Sequence, residues 1–203
     1  TALMVGIGLL FSSFQNYMIK EVEEYNGRYM AKYDNVSYDN IKTIDNIEGV
    51  NYFYEKGLGF SKIDSKNEYK PYLHINAVNK NYFEELNLIE GAFPKSSDEI
   101  VISNHISSNG GITYKVGESI TLDYGYRLID DEKIYDNSEY STDEELVITD
   151  TKTYKIVGIV ERSNYENYSA SGYSVFTLNE IEEDADHVYV IFDKKRNIIK
   201  QAE

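Results

Sequence analysis

An apolar run at the amino end constrains this chain more than any other feature. Ala2-Leu3-Met4-Val5-Gly6-Ile7-Gly8-Leu9-Leu10-Phe11 carries no charge, whereas everything after Lys20 is acidic and rich in tyrosine. Spanning a bilayer takes roughly 20 apolar residues, and runs of about 10–14 serve other ends. No basic segment precedes the run and no small-residue cleavage site follows it, so it makes a poor secretory signal. Two readings fit the segment. It is the outer end of a transmembrane helix, still joined to the domain it carries, or it is an amphipathic helix buried in that domain.

The residues that follow extend the run into one helix. Phe11, Phe14, Met18, Val22 and Tyr25 succeed Ile7 at three- and four-residue steps, which is one stripe of a helix. The opposite face turns polar only from Gln15, through Lys20, Glu21, Glu23 and Glu24. A helix that is apolar all round and then amphipathic is expected where a chain leaves lipid and packs on a globular body. Asn26-Gly27 supplies a stop.

Charge restricts the partners. The 203 residues include 35 acidic and 20 basic side chains, a formal charge of −15. Such a surface repels phosphate backbones and anionic headgroups, so nucleic acid and peripheral membrane docking are disfavoured. Attachment to a membrane then requires an inserted helix. The absence of cysteine removes thiol catalysis, disulfides and thiolate metal sites, and suits an extracytoplasmic domain. The 20 tyrosines, with no tryptophan, fit strands that keep one face wet.

Beyond the first helix the pattern is mainly that of strands. Arg28 to Tyr33 alternates, Ser37 caps a helix carrying Ile41, Ile44 and Ile47 that ends at Gly49, and Val50 to Ile63 reads as a strand bulged near Gly57 and Gly59. Tyr72 to Val78 alternates again. Asn79 to Leu88 predicts a short helix. Strands follow at Glu99–Ser103, Ser119–Tyr124, Leu146–Thr149, Tyr154–Val160, Tyr173–Thr177 and His187–Phe192, with a turn expected at Asp150-Thr151-Lys152. Lys194 to Glu203 begins a helix. This order predicts an α+β fold, a sheet-plus-helix module interrupted by a β-rich insertion.

No reaction chemistry is visible. His74, His105 and His187 lie in unrelated contexts and read as structural or surface residues. Asp184-Ala185-Asp186-His187 reads as a solvated loop. The acidic stretch holding Asp130, Asp131, Glu132, Asp136, Glu139, Asp143, Glu144 and Glu145 is the best place for a cation, yet it lacks the EF-hand spacing and reads as a soluble hairpin tip. There is no nucleophile elbow, phosphate loop or dinucleotide fingerprint. Neither catalysis nor a cofactor or metal is expected.

Three ordered stretches carry a resemblance. They are Leu88-Ile89-Glu90-Gly91-Ala92-Phe93-Pro94 with Asp98-Glu99-Ile100-Val101-Ile102-Ser103, then Tyr114-Lys115-Val116-Gly117-Glu118-Ser119-Ile120-Thr121-Leu122, then Tyr154-Lys155-Ile156-Val157-Gly158-Ile159-Val160. The series resembles the extracytoplasmic (periplasmic) core domain of MacB-like, FtsX-like (type VII) ABC transporter permeases. Ala92 stands where arginine is usual there, and Asp98 where asparagine is usual. Gly91, Pro94, Glu99, Gly117 and Gly158 are the fold-motif positions, with structural roles in turns and bulges.

The resemblance implies a ferredoxin-like porter lobe, residues 28–78 plus 184–203, and an inserted β-rich sabre lobe, residues 79–183. Residues 1–27 become the end of a transmembrane helix and its stalk, with Phe14, Met18, Val22 and Tyr25 as coupling positions, and 194–203 starts a returning C-terminal stalk helix. It implies a cell-membrane protein whose domain lies on the extracytoplasmic side and is fixed by flanking transmembrane helices. A cognate cytoplasmic ATP-binding subunit would act through the full-length permease. The domain would engage an exported substrate or partner protein and transmit motion (mechanotransmission) without catalysis. A pilin-like or adhesion protein on one apolar anchor is the alternative, and a soluble hydrolase with a metal in the acidic stretch is a third.

Overall fold

A computed structural model describes residues 13, 14, 17, 18 and 27–193. Residues 13, 14, 17 and 18 are helical. The expected strand near Tyr33 is β1 (Ala31–Val36). Ser37 then caps helix α1 (Tyr38–Asp45), its Oγ accepting from the Asn40 N–H at 3.4 Å. The Asp184 carboxylate accepts a second orphan N–H, that of Tyr38, at 2.9 Å. Ile41 is buried beneath α1.

Nine further strands follow among the described residues: β2 (Val50–Lys62), β3 (Tyr72–Val78), β4 (Leu88–Gly91), β5 (Glu99–Ser103), β6 (Ser119–Ile129), β7 (Glu132–Ile134), β8 (Glu145–Val160), β9 (Gly172–Leu178) and β10 (Ala185–Phe192). The expected helix after Asn79 is a 3₁₀ turn, Lys80–Glu85. Asn79 Oδ1 accepts from both Tyr82 N–H and Tyr54 N–H, so one side chain caps the turn and fastens it to β2.

The strands form one mixed sheet in the order β1-β10-β2-β3-β9-β5-β8-β6-β7, with β4 beside β8. A further bridge, Phe60 to Gly125, joins β2 to β6. Pairing therefore runs round a ring of six strands, β2-β3-β9-β5-β8-β6, and back to β2. Each of the six sends side chains into one cluster: Leu58, Leu73, Ile75, Tyr173, Val175, Ile100, Ile102, Tyr154, Ile156, Leu122 and Tyr124. This is the interior of a small closed barrel, which leaves few strand edges free.

Strand alternation gives the same ladders a second face. In β3, Leu73 and Ile75 point into the barrel while His74 and Asn76 face outward, although all seven residues are buried. A second apolar cluster covers part of that outer face, with Phe53, Val78, Val101, Phe176 and Tyr189 packed under Tyr82 and Phe83 of the 3₁₀ turn and Leu86 just after it. A third joins α1 to the outer strands through Ile41, Val36, Val188, Val190 and Phe192.

Two expectations are corrected. The polar triplet Asp150-Thr151-Lys152 is not a turn: β8 runs unbroken from Glu145 to Val160. Strand β6 lies alongside residues 145–155, the triplet included, and polar side chains bond across the ladder, Thr151 Oγ1 to Asp123 at 2.7 Å and Tyr124 Oη to Asp150 at 3.0 Å. Asp184 to His187 is likewise no solvated loop, because Ala185 already begins β10.

Among the fold-motif positions, Gly91 and Gly158 are cross-strand partners in β4 and β8. Gly91 has φ +83°, and a Cβ there would stand 2.1 Å from the Val157 carbonyl oxygen. A Cβ on Gly158 would meet the Ala92 carbonyl at 2.6 Å, so the backbones themselves are in contact. Pro94 is buried, Glu99 Oε2 accepts the Lys95 N–H at 2.8 Å, and Gly117 turns the chain into β6 with φ +94°.

Candidate functional site

A cleft of about 950 Å³ opens on the outer face of β1, β10, β2, β3 and β9, roofed by the segments 135–139 and 163–169. Register builds its floor. Asp34, His187 and Glu55 stand in one cross-strand row, with Lys32, Tyr189 and Phe53 in the next. Residues from far apart in sequence thereby share one surface.

Glu55 is central to the cleft. Its Oε1 accepts from Tyr189 Oη at 2.7 Å and its Oε2 from Tyr82 Oη at 2.9 Å. Burial, and then the Glu55 charge, push both phenols well above their ordinary range, so they remain hydroxyl donors. Tyr165 packs against Phe53, Tyr82 and Tyr189, giving the floor a wall of rings.

The remaining lining is polar. Asp34 binds His187 Nδ1 at 2.7 Å and Lys32 at 3.2 Å, which lower its pKa. Lys56 pairs with Glu183. Asp186 Oδ2 accepts the Gly57 N–H at 2.8 Å, where the β2 bulge turns that amide aside. His74 lies beyond Gly57, only 8% exposed. Burial pulls its pKa down to about 4, so at neutral pH it is the uncharged imidazole.

Each roof segment hangs on a buried ion cluster. Arg127 anchors the first, bonding the Asp136, Ser138 and Glu139 carbonyls as well as Glu144. The acidic stretch is therefore not a uniform charged tip: its Glu144 belongs to Arg127, and its backbone wraps the guanidinium. Glu166 anchors the second, with Lys70 Nζ at 2.8 Å, Arg162 Nε at 3.3 Å and Ser174 Oγ at 2.6 Å. His105 Nδ1 stands 3.5 Å away, at the outer limit of a hydrogen bond.

None of the fold-motif glycines lines this cleft, and neither do Pro94 and Glu99. Phe14 and Met18 are exposed, and Val22 and Tyr25 lie outside the described residues, as do the apolar run and the C-terminal stalk. Sequence reasoning missed Glu55, His74, Asp186 and the tyrosines as a group. The available signal was Tyr72-x-His74-x-Asn76, a polar alternate face on a strand whose other face is wholly apolar.

Among the described residues, no set of three or more ionisable ligands could hold a metal ion, and no serine hydroxyl bonds a histidine ring. No described helix is long and apolar enough to cross a membrane.

No protein-family model matches the chain, and no curated protein matches it in sequence. Solved structures do. The fold is similar to that of the extracellular domain of YknZ, a noncanonic ABC-type transporter from Gram-positive bacteria. The TM-score is 0.51 at 11% identity, over 82% of this chain and 78% of that one. The periplasmic region of MacB from Actinobacillus actinomycetemcomitans matches with TM-score 0.49 at 10% identity, covering 84% and 72%. A domain of a permease protein from Porphyromonas gingivalis matches with TM-score 0.46 at 12% identity, covering 81% and 71%.

Proposed function

We propose that this chain is the non-catalytic extracytoplasmic domain of an ABC transporter permease. It engages a substrate or partner protein in the cleft and relays motion through two stalk helices. The cytoplasmic ATP-binding subunit acts at a distance, through the membrane part. The porter lobe corresponds to strands β1, β10, β2 and β3 with α1, and the inserted lobe to the rest of the barrel.

One observation carries this reading. The first and last described strands are antiparallel neighbours, with Ala31 opposite Val190 and the Met30 N–H bonded to the Val190 carbonyl at 2.8 Å. The chain thus enters and leaves the folded body side by side. Two legs descending to one membrane surface require that adjacency, and a pull on either leg acts directly on the β1–β10 ladder. The same strands form one wall of the cleft, so leg displacement and cleft shape are mechanically linked. The fold shared with the YknZ extracellular domain supports the same assignment.

Cysteine labelling tests the topology. The chain has no cysteine, so Tyr168→Cys, at a residue 89% exposed, introduces a single reporter thiol into this domain. In cells expressing the chain with its natural flanking segments, a membrane-impermeant maleimide labels that thiol from outside. Labelling only after lysis overturns the proposal. Met18→Asp or Val22→Asp in the full-length permease should then separate transport from ATP hydrolysis.

A further inference from the structure

Four features of the cleft belong together and are not explained by packing. The first is charge. The lining carries Asp34, Glu55, Asp136, Glu139, Glu166 and Asp186 against Lys32 and Lys56, and both lysines are already paired with carboxylates. The second is that, among the described residues, Glu55 and Asp186 receive only neutral donors: two phenols for Glu55 and the Gly57 amide for Asp186. Each of these oxygens has lone-pair capacity remaining.

The third is His74. Its Nδ1 faces the Asn76 amide NH₂ at 3.1 Å and so accepts, which leaves the ring proton on Nε2. Among the described residues that Nε2 makes no well-aligned hydrogen bond and has only a loose contact with the Tyr135 carbonyl, although the residue is more than nine-tenths buried and its ring lines the cleft. A buried donor left unmatched costs about 1–3 kcal/mol. Something that accepts a hydrogen bond fits there.

The fourth is the space at Gly57. A Cβ at this position would stand 3.3 Å from His74 Nε2, 3.4 Å from Asp186 Oδ2 and 3.5 Å from the Tyr135 carbonyl oxygen. One donor and two acceptors, one of them a carboxylate, thus converge above a residue that has no side chain. A group that complements them donates at least two hydrogen bonds, accepts one and carries positive charge. The tyrosine wall beside Glu55 extends the cationic preference, since ring faces attract ammonium groups.

We infer that the cleft binds an organic ammonium with a hydrogen-bond acceptor beside it, the chemistry of an amino-acid amide or a peptide amino terminus. The ammonium sits over Gly57 against Asp186 and the Tyr135 carbonyl, the adjacent acceptor takes the His74 Nε2 proton, and the remainder of the ligand lies along Glu55 and the tyrosines. This assignment rests on the cleft being the place of engagement proposed above. It names the ligand class and makes no use of the membrane topology.

Glycinamide is the smallest probe with both groups, and N-acetylglycinamide is its uncharged counterpart. Titrated into the ¹⁵N-labelled full chain, glycinamide shifts the Gly57 amide and the His74 ring nitrogens saturably, and N-acetylglycinamide does not. Asp186→Asn keeps the shape and weakens glycinamide roughly tenfold or more. Gly57→Ala, which fills the space, abolishes the shifts. Glu68→Gln, an exposed charge outside the cleft, changes nothing. Equal binding by all variants, or shifts spread over the acidic surface, means general charge attraction and overturns the inference. So does the absence of any saturable shift, which leaves the space to an ordered water. Failure here leaves the cysteine-labelling result untouched, and an inward-facing domain leaves this binding result untouched.

Discussion

Arg127 and Glu144 have fully buried side chains and meet through two parallel hydrogen bonds, Nε to Oε1 at 3.0 Å and Nη2 to Oε2 at 2.7 Å. Planar guanidinium and planar carboxylate match in this way with no donor misdirected. The other guanidinium hydrogens go to backbone carbonyls of residues 136, 138 and 139, and the Phe60 ring lies 5.1 Å from the guanidinium carbon. A single arginine thus fixes a long polar segment and one side of the cleft roof.

Removing one partner leaves the other charged and buried. Arg127→Met should lower stability by about 3–5 kcal/mol. Urea unfolding measures the loss. The double variant Arg127→Met with Glu144→Leu should recover part of it. Limited proteolysis should cut residues 135–144 in the single variant well before the rest of the chain.

Backbone contact between Gly91 and Gly158 gives a second outcome. Neither position has room for a methyl group, and Gly91 also sits at positive φ. Gly91→Ala should cost about 2 kcal/mol or more, and Gly158→Ala a similar amount, since each must push β4 away from β8. Thermal unfolding of the two variants checks this. Gly117→Ala, where no atom lies within 4 Å of an added Cβ, should be milder because only its φ of +94° is strained.

These glycines also show what was legible in the sequence. Local signals that depend on neighbouring residues read through to the structure: the Ser37 cap, the bulge at Gly57 and Gly59, and the Leu73–Ile75 alternation. Asp150-Thr151-Lys152 misled because polar composition marks turns only when no partner strand is there to take the side chains. The cleft was illegible for a related reason. Gly57, His74 and Asp186 meet only because β2 lies between β10 and β3, and strand order is set by long-range packing that no local window contains. The stalk positions Val22 and Tyr25 fall outside the described residues, so the helix stripe stands as an expectation.

Acid should weaken the fold through His74. Burial holds its pKa near 4, against 6.5 for the free side chain. Between those values the unfolded chain binds a proton that the native state refuses. Stability therefore rises with pH across this window and falls on acidification, by up to about 3 kcal/mol. His74→Gln removes the proton-binding group. Urea unfolding between pH 4 and 7 should show a flatter profile for the variant, and an unchanged slope would place the proton elsewhere.

Glu166 acts in the same direction, in a lower window. Burial pushes its carboxyl up, but the His105 contact, the Lys70 charge and hydrogen bond, and the Ser174 hydroxyl outweigh it and hold the pKa at about 2. Its stabilisation is present in full above the ordinary carboxylate value of 4.5 and is lost as pH falls through about 2. Lys70 shifts down as well, because burial costs its ammonium more than Glu166 returns. The pair thus favours the carboxylate and strains the lysine. Glu166 has several close donors whereas Lys70 has one carboxylate, so the pair's stability follows Glu166. Glu166→Gln keeps the shape, removes the charge and leaves the Lys70 ammonium in a site 4% exposed. A loss of about 3 kcal/mol at pH 7 follows. The roof segment 163–169 should open in the same variant, read as faster amide exchange at Tyr165 and Ala170 with the barrel strand β5 unaffected. Uniform exchange throughout the chain would mean that Glu166 supports the whole fold and not the roof of the cleft.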